Sequence, residues 1–165
     1  MDTRLRLATA EDLPEIVAIY NSTIPSRIVT ADTEPVSVES RVPWFHAHDP
    51  SRRPVWVLEK GTEISAWLSV SDFYGRPAYA ATVELAIYVK DGQRGKGHGS
   101  ILLQHAIDTA PALGVSTLLG FIFAENRASV RLFEKFQFIE WGNLPAIAQL
   151  GGETRDLLIL GRKLG

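Results

Sequence analysis

The apolar positions of this chain change period along its length, and the changes mark out its elements. "TRLRLA" (3–8) alternates as a short strand. Thr9 with Asp12 three residues on resembles a capping box that opens a helix through Leu13, Ile16, Val17 and Tyr20. "SVESRVPWFHAH" (37–48) predicts a second helix, interrupted or offset by Pro43, and "DPSRRP" (49–54) a loop. "VWVLEK", a Gly-Thr turn signal and "ISAWLSVSDF" predict a β-hairpin. "AATVELAIYV" (80–89) is a longer strand, with Val83, Leu85, Ile87 and Val89 on one wholly aliphatic face and Thr82, Glu84, Ala86 and Tyr88 on the other. Leu102, Leu103, Ala106, Ile107 and Ala110 then recur at helical spacing, with Gly114 as the stop. "STLLGFIF" predicts a buried strand, "ENRASVRLFEKF" a helix, "FIEWG" (138–142) a strand and "TRDLLILGRKL" (154–164) a final strand. This order predicts an α/β fold: a mixed central β-sheet flanked by helices, in one domain over residues 1–165.

Composition narrows the chemistry. The chain has 165 residues, enough for one substantial core. Its 17 Lys and Arg against 19 Asp and Glu, without a basic run, argue against nucleic acid as the main partner. "SRRP" holds the adjacent arginines 52 and 53, expected to be solvated. No apolar run approaches a membrane span, and the charged N-terminus lacks the form of a signal peptide, so a cytoplasmic protein is expected. With no cysteine there is no thiolate metal ligand and no cysteine to carry an acyl group. His46 and His48 have no carboxylate partner at ligand spacing and read as surface residues, so no metal is expected. His98 and His105 also read as facing solvent, although His98 could approach a bound phosphate. Trp44, Trp56, Trp67 and Trp141 read as core or dimer interface.

One stretch stands apart. "VKDGQRGKGHGSILL" (89–103) sets four glycines and two cations between a strand and a helix. Such a turn bares backbone N–H groups at a helix N-terminus, which attracts an anion, and glycines let the backbone approach it. A plain flexible turn is the competing explanation. A P-loop needs Ser or Thr after its lysine, but Gly97 follows Lys96. A dinucleotide-binding turn needs GxGxxG, whereas here Ser100 stands at the third glycine and Glu125 lies beyond the usual acidic position; it is kept as a rival.

"QRGKGHGSILL" resembles the (Gln/Arg)-x-x-Gly-x-Gly/Ala signature of the GNAT acyltransferases, whose loop holds the pyrophosphate of acetyl-coenzyme A. "ENRASVRLFEKFQF" is similar to the family's Asn-containing helix. "IYNSTI", "ADTEPVSVESRVPWF", "YGRPAYAATVELAIYV" and "RDLLILGRKL" extend the likeness to the phosphinothricin N-acetyltransferase subfamily over nearly the whole chain. The resemblance implies a homodimeric N-acetyltransferase of the GNAT fold that takes acetyl-CoA and a small amino acid such as phosphinothricin, methionine sulfone or methionine sulfoximine.

Amine attack on a thioester needs a neutral nitrogen, a site for the oxyanion and a fate for the thiolate. Glu84 is the expected base, matched to the subfamily's catalytic glutamate, with aliphatic neighbours raising its pKa; a solvent-facing carboxylate is the plain alternative. Backbone groups of Ile87, Tyr88 and Val89 are expected to pair with the pantetheine arm. Arg94, Gly95, Lys96, Gly97, His98, Gly99 and Ser100 are expected to hold the pyrophosphate. Asn126 and Ser129 are expected to touch the cofactor, to cap a helix, or both. Arg76 is expected to bind the substrate carboxylate, with Phe73, Tyr74 and Tyr79 as pocket wall, against the alternative of an exposed loop. Where the family often carries Tyr, or the phosphinothricin enzymes His, this chain has Phe133; it also has Gln137-Phe138 for Gly-Phe and Arg155-Asp156 for Trp-Asp. Phenylalanine cannot donate a proton, which leaves a non-catalytic acyl-CoA-binding module as the rival function.

Overall fold

The computed structural model describes residues 2–165. Seven strands form one sheet: β1 (Thr3–Leu7), β2 (Val55–Lys60), β3 (Glu63–Asp72), β4 (Thr82–Val89), β5 (Thr117–Phe123), β6 (Ile139–Leu150) and β7 (Glu153–Lys163), in the order β1-β2-β3-β4-β5-β7-β6. β4 and β5 run parallel; each other neighbouring pair is antiparallel. The four α-helices are α1 (Leu13–Ser22), α2 (Val38–His46), α3 (His98–Thr109) and α4 (Arg127–Lys135).

The alternation in β4 sorts the molecule into two layers. Val83 and Leu85 join Leu102, Leu103 and Ala106 of α3 and Val130 and Phe133 of α4 in one core cluster. On the opposite face, Leu13, Ile16 and Val17 of α1 pack with Val57 and Trp67, and Trp44, Phe45 and Tyr88 close over them. Each layer removes a strip of aliphatic side chains from water, the main force holding helices to the sheet.

Several expectations change. Pro43 does not interrupt α2, which continues to His46, because it lies on an exposed helix where a missing N–H costs one hydrogen bond. β6 does not end at Gly142 but runs to Leu150; its ladder with β7 shifts register between Glu140 and Gly142 and between Leu144 and Ala148. The second shift spans Pro145, whose ring normally excludes a regular ladder. Arg53 is not solvated: its buried guanidinium bonds Asp72 (2.6 Å) and the Ala80 carbonyl (2.8 Å), tying both ends of the turn between β3 and β4.

The family's glycine position at Gln137 has a structural explanation. Gln137 takes φ 69° just beyond α4, with its N–H on the Glu134 carbonyl (2.9 Å) and that of Phe138 on the Phe133 carbonyl (3.1 Å). This is a Schellman end, where glycine fits without strain. Phe133 is itself core, edge-on to Phe138 at 4.9 Å and lying against the bare backbone of Gly120.

Candidate active site

β4 has two ladders at its start and one at its end. Val83 and Glu84 pair with both β3 and β5 and Thr82 with β5, whereas Leu85 to Val89 pair with β3 alone. The far half of β5 pairs only with β7. The two strands therefore splay apart, leaving main-chain groups of β4 without a strand partner and opening a cavity of about 520 Å³. Ile87, Tyr88 and Val89 line one lip and Asn126, Ser129 and Leu132 the other. Arg94, Gly95, Gly97, His98, Gly99 and Ser100 also line it, whereas Lys96 is exposed outside the wall.

The glycines do two separate jobs. Gly95 (φ +75°) and Gly97 (φ +83°) adopt left-handed backbone, and a Cβ on either would meet nothing within 4 Å. It is conformation that calls for glycine there, while the space in front stays open to a ligand. At Gly99 a Cβ would stand 2.9 Å from Leu132, so glycine brings α3 against α4. No side chain caps α3, and its first ladder bond runs from Ile101 N–H to the Gly97 carbonyl. The N–H groups of the first turn are thus available to an anion at the positive end of the helix. Arg94 pairs with Asp91 at 3.3 Å, and Lys135 reaches Ser100 Oγ at 3.3 Å.

His98 is buried, contrary to expectation, and its Nδ1 has no hydrogen-bond partner. Burial lowers its pKa, and nearby Lys60 and Lys96 act in the same direction, which favours the neutral ring. Asn126 is also buried; its Oδ1 accepts from the Ser129 N–H (3.3 Å) and caps α4 while lining the cavity.

A second cavity, about 180 Å³, opens on the α1–α2 side. Its floor is made of three cross-strand pairs: Trp67 opposite Tyr88, Ser69 opposite Ala86, and Ser71 opposite Glu84. Tyr20, Arg41 and Trp44, with the aliphatic Ile16, Val17 and Val36, form the walls. Tyr88 lines both cavities, so the two adjoin at this residue. Glu84 is half-buried in the smaller one, and desolvation alone raises its carboxyl pKa. Burial, reinforced by Tyr20 and Glu84, lifts the Tyr88 phenol well above its usual range, so it remains a neutral donor. Arg41 is engaged already, bonded to Asp32 (3.1 Å) and lying over Tyr20 at 5.0 Å.

Arg76, Phe73, Tyr74 and Tyr79 line neither cavity. They occupy the turn from β3 to β4, which adjoins the Ser71–Glu84 end of the smaller cavity. The aromatic rings pack on one another, with Phe73 on Tyr74 at 4.2 Å and on Tyr79 at 5.5 Å. Arg76 is exposed and, among the described residues, has no acidic partner. Nor do three His, Asp or Glu side chains come together there as a metal site. Among the described residues, no helix is long and apolar enough to cross a membrane.

A split parallel pair beside a glycine-rich helix start is a cradle for an extended, phosphate-bearing ligand, and the sequence profile of the acetyltransferase (GNAT) family matches residues 16–138. The chain belongs to that family. Among its GNAT relatives, YwnH of Bacillus subtilis (strain 168) is 54% identical over 161 residues, covering 97% of this chain and 98% of that protein. The L-methionine sulfoximine/L-methionine sulfone acetyltransferase of Pseudomonas paraeruginosa (strain DSM 24068 / PA7) is 33% identical over 97% of this chain and 94% of its own length. The crystal structure of a GNAT superfamily phosphinothricin acetyltransferase from Sinorhizobium meliloti, in complex with acetyl-CoA, superposes with TM-score 0.94 at 28% identity, covering 100% of this chain and 90% of that one. This GNAT protein is an acetyl-CoA-dependent N-acetyltransferase. The dinucleotide and binding-module rivals are thereby set aside. The free α3 amides and the unpaired edge of β4 fit acetyl-CoA, which supplies the activated acetyl group.

Tyr20, Arg41, Ser69 and Ser71 line the smaller cavity, although the chain's pattern does not single them out. They come from three separated segments, α1, α2 and β3, and only the alternation of the β3 hairpin strand carries any signal of a shared face.

Proposed function

We propose that this acetyltransferase acylates the α-amine of a small amino acid of the phosphinothricin, methionine sulfone or methionine sulfoximine type by direct attack. The observation that carries the proposal is the meeting of the two cavities at Tyr88, with a carboxylate of raised pKa on the acceptor side. Glu84 removes the amine proton; its desolvated carboxyl, with no cationic partner, is a stronger base than an exposed one. Backbone groups of Ile87, Tyr88 and Val89 bind the pantetheine arm as an added strand. The amides from Gly95 to Ser100 hold the diphosphate, with Arg94 and Lys96 adding charge, His98 beside them, and Asn126 and Ser129 on the far lip. Phe133 offers no proton, so protonation of the departing sulfur falls to water.

Arg76, free of an acidic partner on the turn beside Glu84, takes the acceptor carboxylate, with Phe73, Tyr74 and Tyr79 as the mouth of the site. The protein works as a homodimer: Ile139 (61% exposed), Trp141 (44%), Leu144 and Ile147 (58%) leave a row of apolar side chains along the edge strand β6, a surface suited to a second copy. A cytoplasmic location goes with the use of acetyl-CoA.

Free-thiol release in an acceptor panel tests the reading. Methionine sulfone and phosphinothricin should lead the panel. Basic amino acids or peptide N-termini outranking them would contradict it.

A further inference from the structure

His48 is not the isolated surface histidine its spacing suggested. It follows α2 and is half-buried, with Nδ1 2.9 Å from the Trp44 carbonyl and Nε2 3.3 Å from Ser71 Oγ. Its ring meets the Trp44 indole edge-on at 4.8 Å, and that indole lines the smaller cavity. Ser71 lines it too and is the register partner of Glu84. Directly opposed residues of antiparallel strands have Cβ atoms about 5 Å apart, so one small group can touch both side chains.

The direction of these hydrogen bonds follows from elementary chemistry. A carbonyl oxygen only accepts, so His48 Nδ1 carries the hydrogen. In the neutral ring Nε2 is then an acceptor, and the Ser71 hydroxyl donates to it. With its one proton committed, Ser71 turns only lone pairs towards the cavity. The carboxylate of Glu84 likewise only accepts. This end of the cavity therefore suits a group with two N–H bonds and repels a carbonyl or carboxylate.

We infer that Ser71 and Glu84 together select a primary amine, and that His48 is the positioning residue that sets the Ser71 hydroxyl. The inference rests on the acetyl-transfer reading above. A neutral primary amine gives one N–H to Ser71 and one to Glu84, leaving its lone pair to form the new N–C bond. As the C–S bond breaks, the proton on the Glu84 side passes to that carboxylate, while Ser71 keeps its own proton on His48. An N-methyl acceptor has a single N–H to give and loses one of the two contacts.

The test uses Ser71→Ala, His48→Ala and the double variant, assayed with the best primary amine of the panel and its N-methyl counterpart. Each single variant should raise KM for the primary amine about tenfold, the effect of losing one hydrogen bond to a polar partner. The double variant should be no worse than Ser71→Ala, because His48 acts on the amine only through the Ser71 hydroxyl. Preference for the primary over the N-methyl acceptor should shrink in all three, with KM for acetyl-CoA unchanged. An acceptor KM within twofold of wild type in Ser71→Ala, or effects that multiply in the double variant, would overturn the inference. Imidazole 15N NMR of the wild-type protein adds a reading that needs no turnover: His48 should be the Nδ1–H tautomer, and an Nε2–H tautomer would overturn the inference while leaving acetyl transfer untouched.

Discussion

The two cavities that meet at Tyr88 are built from different materials. The larger runs along main chain that has no strand or helix partner, the open edge of β4 and the first turn of α3, with residues of 23–29 and 125–132 as its further walls. The smaller is made of side chains, Glu84, Ser71, Ser69, Trp67, Trp44, Arg41 and Tyr20, brought together by α1, α2, β3 and β4. A backbone site recognises a ligand by shape and amide direction, and it tolerates changes of side chain wherever the conformation survives. A side-chain site changes what it accepts with each residue. Proposed recognition of the constant acetyl donor thus falls to backbone and choice of amine to side chains, and substitutions on the two sides should fail in different ways.

Glu84→Gln should produce the largest effect. It removes the proposed base, lowering kcat by about 10²–10⁴-fold with acetyl-CoA affinity unchanged by calorimetry. In the wild type the acid limb of kcat/KM should lie above the ordinary carboxylate range, because burial raises the Glu84 pKa, and the variant should lack that limb. Arg76→Ala should come next, raising KM for the amino acid about 10–100-fold, as for a lost charged hydrogen bond, with the acetyl-CoA KM unaltered; an unchanged acceptor KM would leave Arg76 as a plain loop residue.

On the donor side, Gly97→Ala forces a left-handed residue costing about 1–2 kcal/mol. It should raise the acetyl-CoA KM roughly tenfold, the equivalent of that cost. Lys96→Ala, an exposed charge outside the wall, should change the same KM by only about twofold. If Lys96 mattered more than Gly97, the division into backbone and side-chain sites would collapse. The smallest effect concerns stability. With its pKa raised in the fold, Glu84 favours the protonated state, so its stabilising contribution is present at low pH and lost as pH rises through the raised value. Melting curves of Glu84→Gln should therefore lie above wild type at neutral pH and converge with it near pH 4.

The same contrast explains how much could be read from the chain. The strand β4, the glycine loop and the start of α3 are continuous in sequence, so residues 87–100 carry their geometry in their order, and of those proposed for the cofactor only Lys96 lies outside the cavity wall. The seven-stranded sheet followed from alternation and turn residues, except that Pro145 concealed the far half of β6 behind a bulge. The acceptor side was largely hidden. Tyr20 looked like helix core and Trp44 like core or interface, and their service as cavity walls depends on how α1 and α2 cross the sheet. His48 and Arg53 were misread because what buries each lies far along the chain, at Ser71 for one and at Asp72 and Ala80 for the other. His98 was read as facing solvent, whereas the first turn of α3 turns it inward.

A crystal structure of the protein with acetyl-CoA tests the central claim most directly. The diphosphate should accept hydrogen bonds from main-chain amides between Gly95 and Ser100, and the thioester should lie beside Tyr88 at the junction with the Glu84 cavity. A diphosphate held by side chains elsewhere, or a thioester remote from Glu84, would contradict the account.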